Sequence, residues 1–212
     1  MREQAILNIN SPLYRSIMSS INYQTAKFLK SYGTAEQLPA PTHPEVSFVG
    51  RSNVGKSSLL NKLFNRRNLA KVSSVPGKTT CINFFEADGI QFVDLPGYGF
   101  AKRSNTEKQR WANLINGYFE DDRSHNLIVS LIDIRHDATK QDIQMIDYIK
   151  EFDFPFVVAL TKSDKLSRTQ QNRQIDLLKS QLDIESNTVI ATSSQTGLGL
   201  ENLKTVIANS CL

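Results

Sequence analysis

Between residues 50 and 57 the chain reads Gly50-Arg51-Ser52-Asn53-Val54-Gly55-Lys56-Ser57, two glycines bracketing four residues, with a lysine and a hydroxyl directly after. Glycines at those positions let backbone N–H groups turn inward around an anion, and a helix starting at Lys56 adds the positive end of its dipole. The ligand that suits such a loop is a run of phosphates. Lys56 would reach the β and γ groups, and the Ser57 hydroxyl would join the shell of a magnesium ion that keeps water and phosphate oxygens for the rest. The loop alone specifies neither base nor reaction.

Three further segments narrow the choice. In Asp94-Leu95-Pro96-Gly97 the carboxylate can hold magnesium through water and the Gly97 amide can sense a third phosphate. In Thr161-Lys162-Ser163-Asp164 the two Asp164 oxygens can accept from the N1–H and exocyclic amino group of guanine, which adenine does not offer, while the Lys162 stem lies against the base. Thr192-Ser193-Ser194 can present a backbone N–H to the guanine O6. All four segments fall at the carboxyl ends of expected strands, the edge at which an open α/β sheet binds its ligands.

A sheet is needed to line these segments up. The apolar residues Val46, Phe48 and Val49 predict a strand entering the phosphate loop, and a helix starts near Lys56. The polar, basic stretch from Asn65 to Lys78 reads as a mobile loop. Strands at Cys81 to Glu86 and Gln91 to Asp94 flank Asp88-Gly89, which predicts a tight antiparallel hairpin. Trp111, Leu114, Ile115, Tyr118 and Phe119 recur at helical spacing, with Trp111 expected in the core. Beyond them, strands at Leu127 to Ile134, Phe156 to Leu160 and Thr188 to Ala191 alternate with helices at Gln141 to Phe152, Thr169 to Leu182 and Gly199 to Asn209. This order predicts an α/β fold: a six-stranded, mostly parallel sheet with one antiparallel strand and helices on both faces. Residues 1–22 read as a mobile N-terminal extension to a domain of residues 23–212. In the stretch up to Pro44, the pattern of Ile17, Ile21, Phe28 and Leu29 does not decide between a short helix and an edge strand.

A length of 212 residues, 40% hydrophobic and 22% charged, suits one globular domain and excludes collagen-like and wholly disordered chains. Neither a membrane-length apolar run nor a signal peptide at Met1 to Asn10 is present, so a cytosolic protein is expected. Cys81 and Cys211 lack metal-ligand spacing and are expected as free thiols. The net charge of +4 is unevenly spread: residues 1–111 hold 15 Lys+Arg against 7 Asp+Glu, and the remainder 10 against 14. A basic first half suits either a bound nucleotide or a larger polyanion. His136 reads as a packed or capping residue rather than a base, for it has no nucleophile partner.

Taken together, Pro44-Glu45-Val46 leading into the phosphate loop, Pro76-Gly77-Lys78-Thr79 with Asn83-Phe84, Val93-Asp94-Leu95-Pro96-Gly97-Tyr98-Gly99, Asp133-Ile134-Arg135-His136 and Thr161-Lys162-Ser163-Asp164 resemble the EngB (YihA/YsxC) family of bacterial GTP-binding proteins, within the translation-factor-like GTPases. The resemblance runs over nearly the whole chain from about Tyr23. It implies a Ras-like P-loop G domain, a magnesium-dependent GTPase that binds GTP and GDP and acts as a switch in late assembly of the large ribosomal subunit. It further implies contact with ribosomal RNA and proteins, a cytoplasmic monomer without membrane attachment, and a need for the protein in normal cell division and septum formation.

On this resemblance Gly77, Lys78, Thr79, Thr80 and Cys81 join the nucleotide contacts, and Thr79 completes the magnesium shell beside Ser57. Thr80 stands where related sequences often carry glutamine, so only Thr79 is assigned as a ligand. Lys56, Thr79, Gly97 and Asn53 would act nearest the reaction. Tyr98 occupies the place of the water-orienting glutamine of Ras-like enzymes, and an aromatic ring cannot orient water that way. Asn53 has two readings, as a ligand to potassium or as a side-chain hydrogen bond that steadies the loop. Basic residues at 66, 67, 71, 102, 103, 108 and 110 are either solvated or set against RNA, and the resemblance favours RNA. The rival to ribosome assembly is a nucleotide-dependent interaction module at the division septum whose hydrolysis is incidental.

Overall fold

The computed structural model describes residues 21–70, 81–99 and 104–212. Expectations placed on residues 1–20, on Lys71, Gly77, Lys78, Thr79 and Thr80, and on Ala101, Lys102 and Arg103 lie outside the described residues. Among the described residues, β1 (Lys27–Tyr32), β2 (Glu45–Gly50), β3 (Ile82–Ala87), β4 (Ile90–Asp94), β5 (Leu127–Asp133), β6 (Phe156–Thr161) and β7 (Val189–Ala191) form one sheet in the order β1-β3-β4-β2-β5-β6-β7. The helices are α1 (Lys56–Leu63), α2 (Asn105–Glu120), α3 (Lys140–Glu151), α4 (Arg168–Leu182) and α5 (Leu200–Cys211).

Strand alternation sends side chains to two cores. Val46, Phe48, Phe92, Val129, Leu131, Val157 and Ala159 face α1 and α5, where Leu59, Leu60, Leu63, Leu203 and Ile207 meet them. Val49, Val93, Ile128, Ile132, Val158 and Leu160 face Leu114, Tyr118, Ile146, Ile149, Leu178 and Leu182 of α2, α3 and α4. A sheet buried on both faces must be apolar nearly throughout, and β2 is buried at all six positions. Local signals set the helix starts: Ser104 with Glu107, Thr139 with Asp142 and Ser167 with Gln170 form capping boxes at the entries of α2, α3 and α4.

Three sequence expectations are corrected. Among the described residues the sheet has seven strands, because β1 pairs antiparallel with β3 at the edge. Its first five residues are exposed, so no alternation betrayed it; ring contacts of Phe28 with Phe85 and Tyr32 with Phe84 hold it against β3, and its register shifts at a bulge between Phe28 and Lys30. Strand β3 remains the antiparallel one; it turns into β4 through Asp88 and Gly89, both at positive φ, as a two-residue hairpin requires. Trp111, expected in the core, packs against its edge and is only half-buried, and its indole N–H donates to the Pro96 carbonyl at 3.0 Å. His136 is exposed, which removes the packed reading. Cys81 and Cys211 are free thiols, as expected.

At the amino end of β2, opposite the phosphate loop, a buried polar knot closes the molecule. The Arg123 guanidinium donates through Nε and Nη2 to the two Glu45 oxygens at 2.9 and 2.8 Å, and reaches the Pro39 carbonyl and Asp121. Tyr118 donates to Glu45 at 3.0 Å and meets Ser47 at 2.7 Å. Beside the knot, His125 lies among the rings of Tyr118, Phe119 and Phe154, with no hydrogen-bond partner for either ring nitrogen among the described residues. Burial lowers its pKa below the usual 6.5, against the pull of Glu45. The unfolded chain therefore takes up the proton first. Stability linked to His125 is complete above pH 6.5 and drains away as pH falls towards the depressed folded value. The midpoint of thermal unfolding should drop between about pH 7.5 and about pH 5.5, and His125→Asn, which tolerates the positive φ at that site, should melt lower but with a smaller drop. Equal drops in both proteins, measured by differential scanning calorimetry, would place the pH dependence elsewhere.

Candidate functional site

The phosphate loop leaves β2 at Gly50 because nothing larger passes there: a Cβ on Gly50 would lie 2.8 Å from the Leu131 carbonyl oxygen of β5. Gly55 takes φ 109° and opens α1 with no side-chain cap, leaving the first amide groups of the helix to an anion. Val54 points into the core, and its carbonyl accepts from the Thr161 hydroxyl at 2.8 Å. This contact explains the threonine at the head of the Thr-Lys-Ser-Asp segment: it straps the phosphate loop to β6. Asn53 holds φ 64°, a left-handed conformation that asparagine tolerates, and its side chain has no hydrogen-bond partner among the described residues. Among the described residues, then, no side-chain bond steadies the loop through Asn53.

Lys56 and Asp94, from the two ends of the expected phosphate and magnesium sites, are bonded to each other, Nζ to Oδ1. The other Asp94 oxygen faces the Asn83 amide at 3.5 Å, and Asn83 in turn accepts from Ser31 of the edge strand at 2.6 Å. Ser57 follows Lys56 in the first turn of α1. The donor set of Ser57 hydroxyl and Asp94 carboxylate consists of hard oxygens, which fits magnesium. Among the described residues no group of three His, Cys, Asp or Glu forms a metal site made of protein alone.

The segment after β4 lies directly on the phosphate loop. Ser52 donates its N–H to the Tyr98 carbonyl at 2.9 Å, and Tyr98 donates to the Gly50 carbonyl at 3.3 Å. A Cβ on Gly97 would stand 2.8 Å from the Ser52 hydroxyl and 2.9 Å from its nitrogen, so only glycine fits. Leu95 is buried and its N–H donates to Phe48; Pro96 offers its carbonyl to Trp111. The Tyr98 ring turns inward, and its hydroxyl donates to Asp142 Oδ1 at 2.8 Å, while Asp142 Oδ2 accepts from the N–H and hydroxyl of Thr139. Burial and the Asp142 charge push the phenol far above its usual range.

The base-binding candidates converge as expected. Asp164 Oδ1 accepts from the Ser193 hydroxyl at 2.6 Å and Oδ2 pairs with Lys165 at 3.1 Å. The Ser193 bond, aided by Lys165 and outweighing burial, holds the Asp164 carboxyl below its usual range, so it is an acceptor at neutral pH. Ser163 is buried and donates its hydroxyl to the Thr192 carbonyl at 2.8 Å, joining the two loops. Thr192 and Ser193 direct their N–H groups to Leu160 and Leu198, while the Ser194 N–H has no such bond among the described residues. A pocket lined by Gly55, Ser58, Leu59, Thr161, Lys162, Thr192 and Ser194 joins the phosphate loop to this region. Sequence reasoning missed Ser58 and Leu59 there, although their place in the first turn of the helix puts them beside Gly55. Asp133 and Asp142, which hold Lys162 and Tyr98, were also missed; that Asp133 ends a strand as Asp94 does was the available signal. Arg51 forms a bridge with Tyr98, and Cys81 sits half-buried before β3, its sulfur near Gly33.

Residues 45–162 match the family described as 50S ribosome-binding GTPase. A probable GTP-binding protein EngB of Streptococcus pyogenes serotype M5 (strain Manfredo) is 41% identical over 184 residues, 86% of this chain and 92% of the relative. Its counterpart from Streptococcus sanguinis (strain SK36) is 41% identical over 183 residues, 85% and 94% of the two chains. A crystal structure of a probable GTP-binding protein EngB superposes with a TM-score of 0.63 over 79% of this chain and 98% of that one, at 24% identity. Era in complex with MgGDPNP and nucleotides 1506–1542 of 16S ribosomal RNA superposes with a TM-score of 0.59 at 23% identity, over 81% and 58%. These two likenesses concern the fold, which is that of a Ras-like GTPase. With 41% of residues identical over most of its length, the chain belongs to the EngB family of GTP-binding proteins.

Proposed function

We propose that this GTPase is a nucleotide-driven switch in late assembly of the large ribosomal subunit, on which normal cell division and septum formation depend, and that it works as a cytoplasmic monomer. One observation carries the switch: the loop that would sense the third phosphate is hydrogen-bonded to the phosphate loop through Tyr98 and Ser52. Nucleotide arrival and loop position then draw on the same donors, so occupancy becomes a change of surface. The basic first half, 15 Lys+Arg against 7 Asp+Glu, supports a partner rich in phosphate, and so does the description of the matched family. Among the described residues no helix is long and apolar enough to cross a membrane. Residues 23–212 are taken as the G domain and residues 1–22 as its extension.

In this reading Lys56 leaves Asp94 for the β and γ phosphate oxygens, and the amides from Arg51 to Ser57 surround them. Ser57 and Thr79 would hold magnesium directly and Asp94 through water; bound there, the ion would neutralise charge on the β and γ phosphates. The Gly97 amide meets the third phosphate, with Leu95 and Pro96 fixing its approach, and Gly77, Lys78, Thr80 and Cys81 are taken as further nucleotide contacts. Asp164 reads the guanine N1–H and amino group, Ser194 offers its N–H to O6, and Lys162 flanks the base. Because the Tyr98 hydroxyl is engaged by Asp142, that position has no amide to orient water, and unassisted hydrolysis should be slow, on the order of 10⁻⁴ per second. Asn53, whose side chain has no partner among the described residues, is the residue that would hold potassium, whose charge would offset the negative charge growing near the β–γ bridging oxygen.

The partner is tested by sedimentation. The protein should travel with large ribosomal subunits when loaded with a non-hydrolysable GTP analogue, less so with GDP, and should be stripped by added salt. No co-migration at low salt would count against the ribosomal reading. Base choice is tested by Asp164→Asn, which replaces an acceptor with a donor facing the base: GDP affinity should fall about a hundredfold and xanthosine diphosphate should become the better ligand in titration calorimetry. Unchanged GDP affinity would refute the guanine assignment. Single-turnover hydrolysis should be faster in potassium than in sodium at matched ionic strength, with Asn53→Ala abolishing the difference and sparing GDP affinity; equal wild-type rates would exclude the ion.

A further inference from the structure

The Asp133-Ile134-Arg135-His136 segment has no part in the function so far, yet its first residue touches the base-binding region. Strand pairing explains why: Asp133 at the end of β5 stands opposite Thr161 at the end of β6, one residue before Lys162. From there the Asp133 Oδ2 takes the Lys162 ammonium at 2.9 Å. The same ammonium donates to the Asn53 carbonyl of the phosphate loop at 3.1 Å, so its position is defined from two sides. Asp133 is itself immobilised, because Oδ1 accepts from the Arg135 backbone N–H at 3.1 Å and from Nε at 2.9 Å, and Oδ2 from Nη2 at 2.8 Å.

We propose that Asp133 is a positioning residue for nucleotide binding: it fixes the Lys162 ammonium at the phosphate loop, so that the lysine stem is already extended where the base will lie. The inference rests on the reading of Lys162 given under Proposed function. A free lysine stem samples many rotamers, and ordering it at the moment of binding weakens affinity. Here the ordering is achieved within the folded chain. Lys162 also holds φ 61°, a conformation unfavourable for a lysine, which the ammonium contacts at the far end of the side chain help to maintain. An ordinary surface ion pair would contribute little. The Asp133 side chain, however, is only 16% exposed and is forked by Arg135, which distinguishes it from a pair of free side chains.

The test is a double-mutant cycle on the full chain, read by the dissociation rate of a fluorescent GDP and by calorimetric Kd. Asp133→Ala should speed GDP release about five- to twentyfold with little change in association, and the isosteric Asp133→Asn should fall between it and wild type. Lys162→Met should weaken GDP at least as much, and the double variant should be no weaker than Lys162→Met alone, since the two residues act as one unit. Preference for GDP over xanthosine diphosphate should not change, because Asp164 is untouched. Release within twofold of wild type in both Asp133 variants, or additive losses in the double variant, would overturn the inference while leaving Lys162 at the base. No loss in Lys162→Met would instead overturn the reading of Lys162 on which the inference rests. Asp133→Asn keeps shape and an acceptor for Arg135, so the cycle can be closed with it if the alanine variant folds poorly.

Discussion

The structure depends on a shortage of space at the carboxyl end of β2. Gly50 passes so close to the Leu131 carbonyl of β5, and Gly97 so close to Ser52, that a methyl group at either place would collide with backbone. The phosphate loop is thereby clamped between a central strand and the segment that follows β4. Two hydrogen bonds between Tyr98 and the loop are possible only at that distance. A loop packed this tightly cannot move independently of its neighbour, which is the physical basis on which the proposed switch would couple occupancy to the position of the Asp94–Tyr98 segment.

Three ion pairs divide the labour according to burial. Arg123 and Glu45, with no exposed side-chain surface, lie at the amino end of β2 and have further bonds from Tyr118, Asp121 and Pro39; such a pair is costly to break and serves to fix the entry of the central strand. Lys56 and Asp94 lie at the opposite end, slightly open to solvent, and each is a partner that phosphate or a hard cation can replace. Lys162 and Asp133 sit between these extremes, more exposed but braced by Arg135. The rigid pair is remote from the ligand edge and the exchangeable pair lies at it.

Tyr98 changes what the segment after β4 can do. A glutamine there would extend towards the ligand edge; the phenol instead turns into the core and hydrogen-bonds to Asp142, which also caps α3 through Thr139. The segment is therefore tied to the phosphate loop by its backbone and to α3 by its side chain. Asp133 ends β5 and Asp142 lies in the first turn of α3, so one stretch of ten residues supports Lys162 and the tyrosine together.

Much of this was legible in the residues themselves, because the determinants are local. The apolar runs of β2, β5 and β6 have to be buried on both faces, the Asp88-Gly89 pair has to turn, and the phosphate loop needs its glycines whatever surrounds it. The order of those elements was enough to bring Lys56, Asp94, Asp164 and Ser193 to one edge. Strand β1 was not legible, since an edge strand with exposed side chains carries no period. Nor were the partners: that Thr161 straps Val54, that Lys56 holds Asp94, that Asp133 holds Lys162 and that Trp111 bonds to Pro96 depend on register between strands and on packing across more than ten residues of sequence. Residue type and spacing determined which groups face the ligand edge; only tertiary structure decided which of them hold one another, because hydrogen bonds are chosen by distance in space and not by distance along the chain.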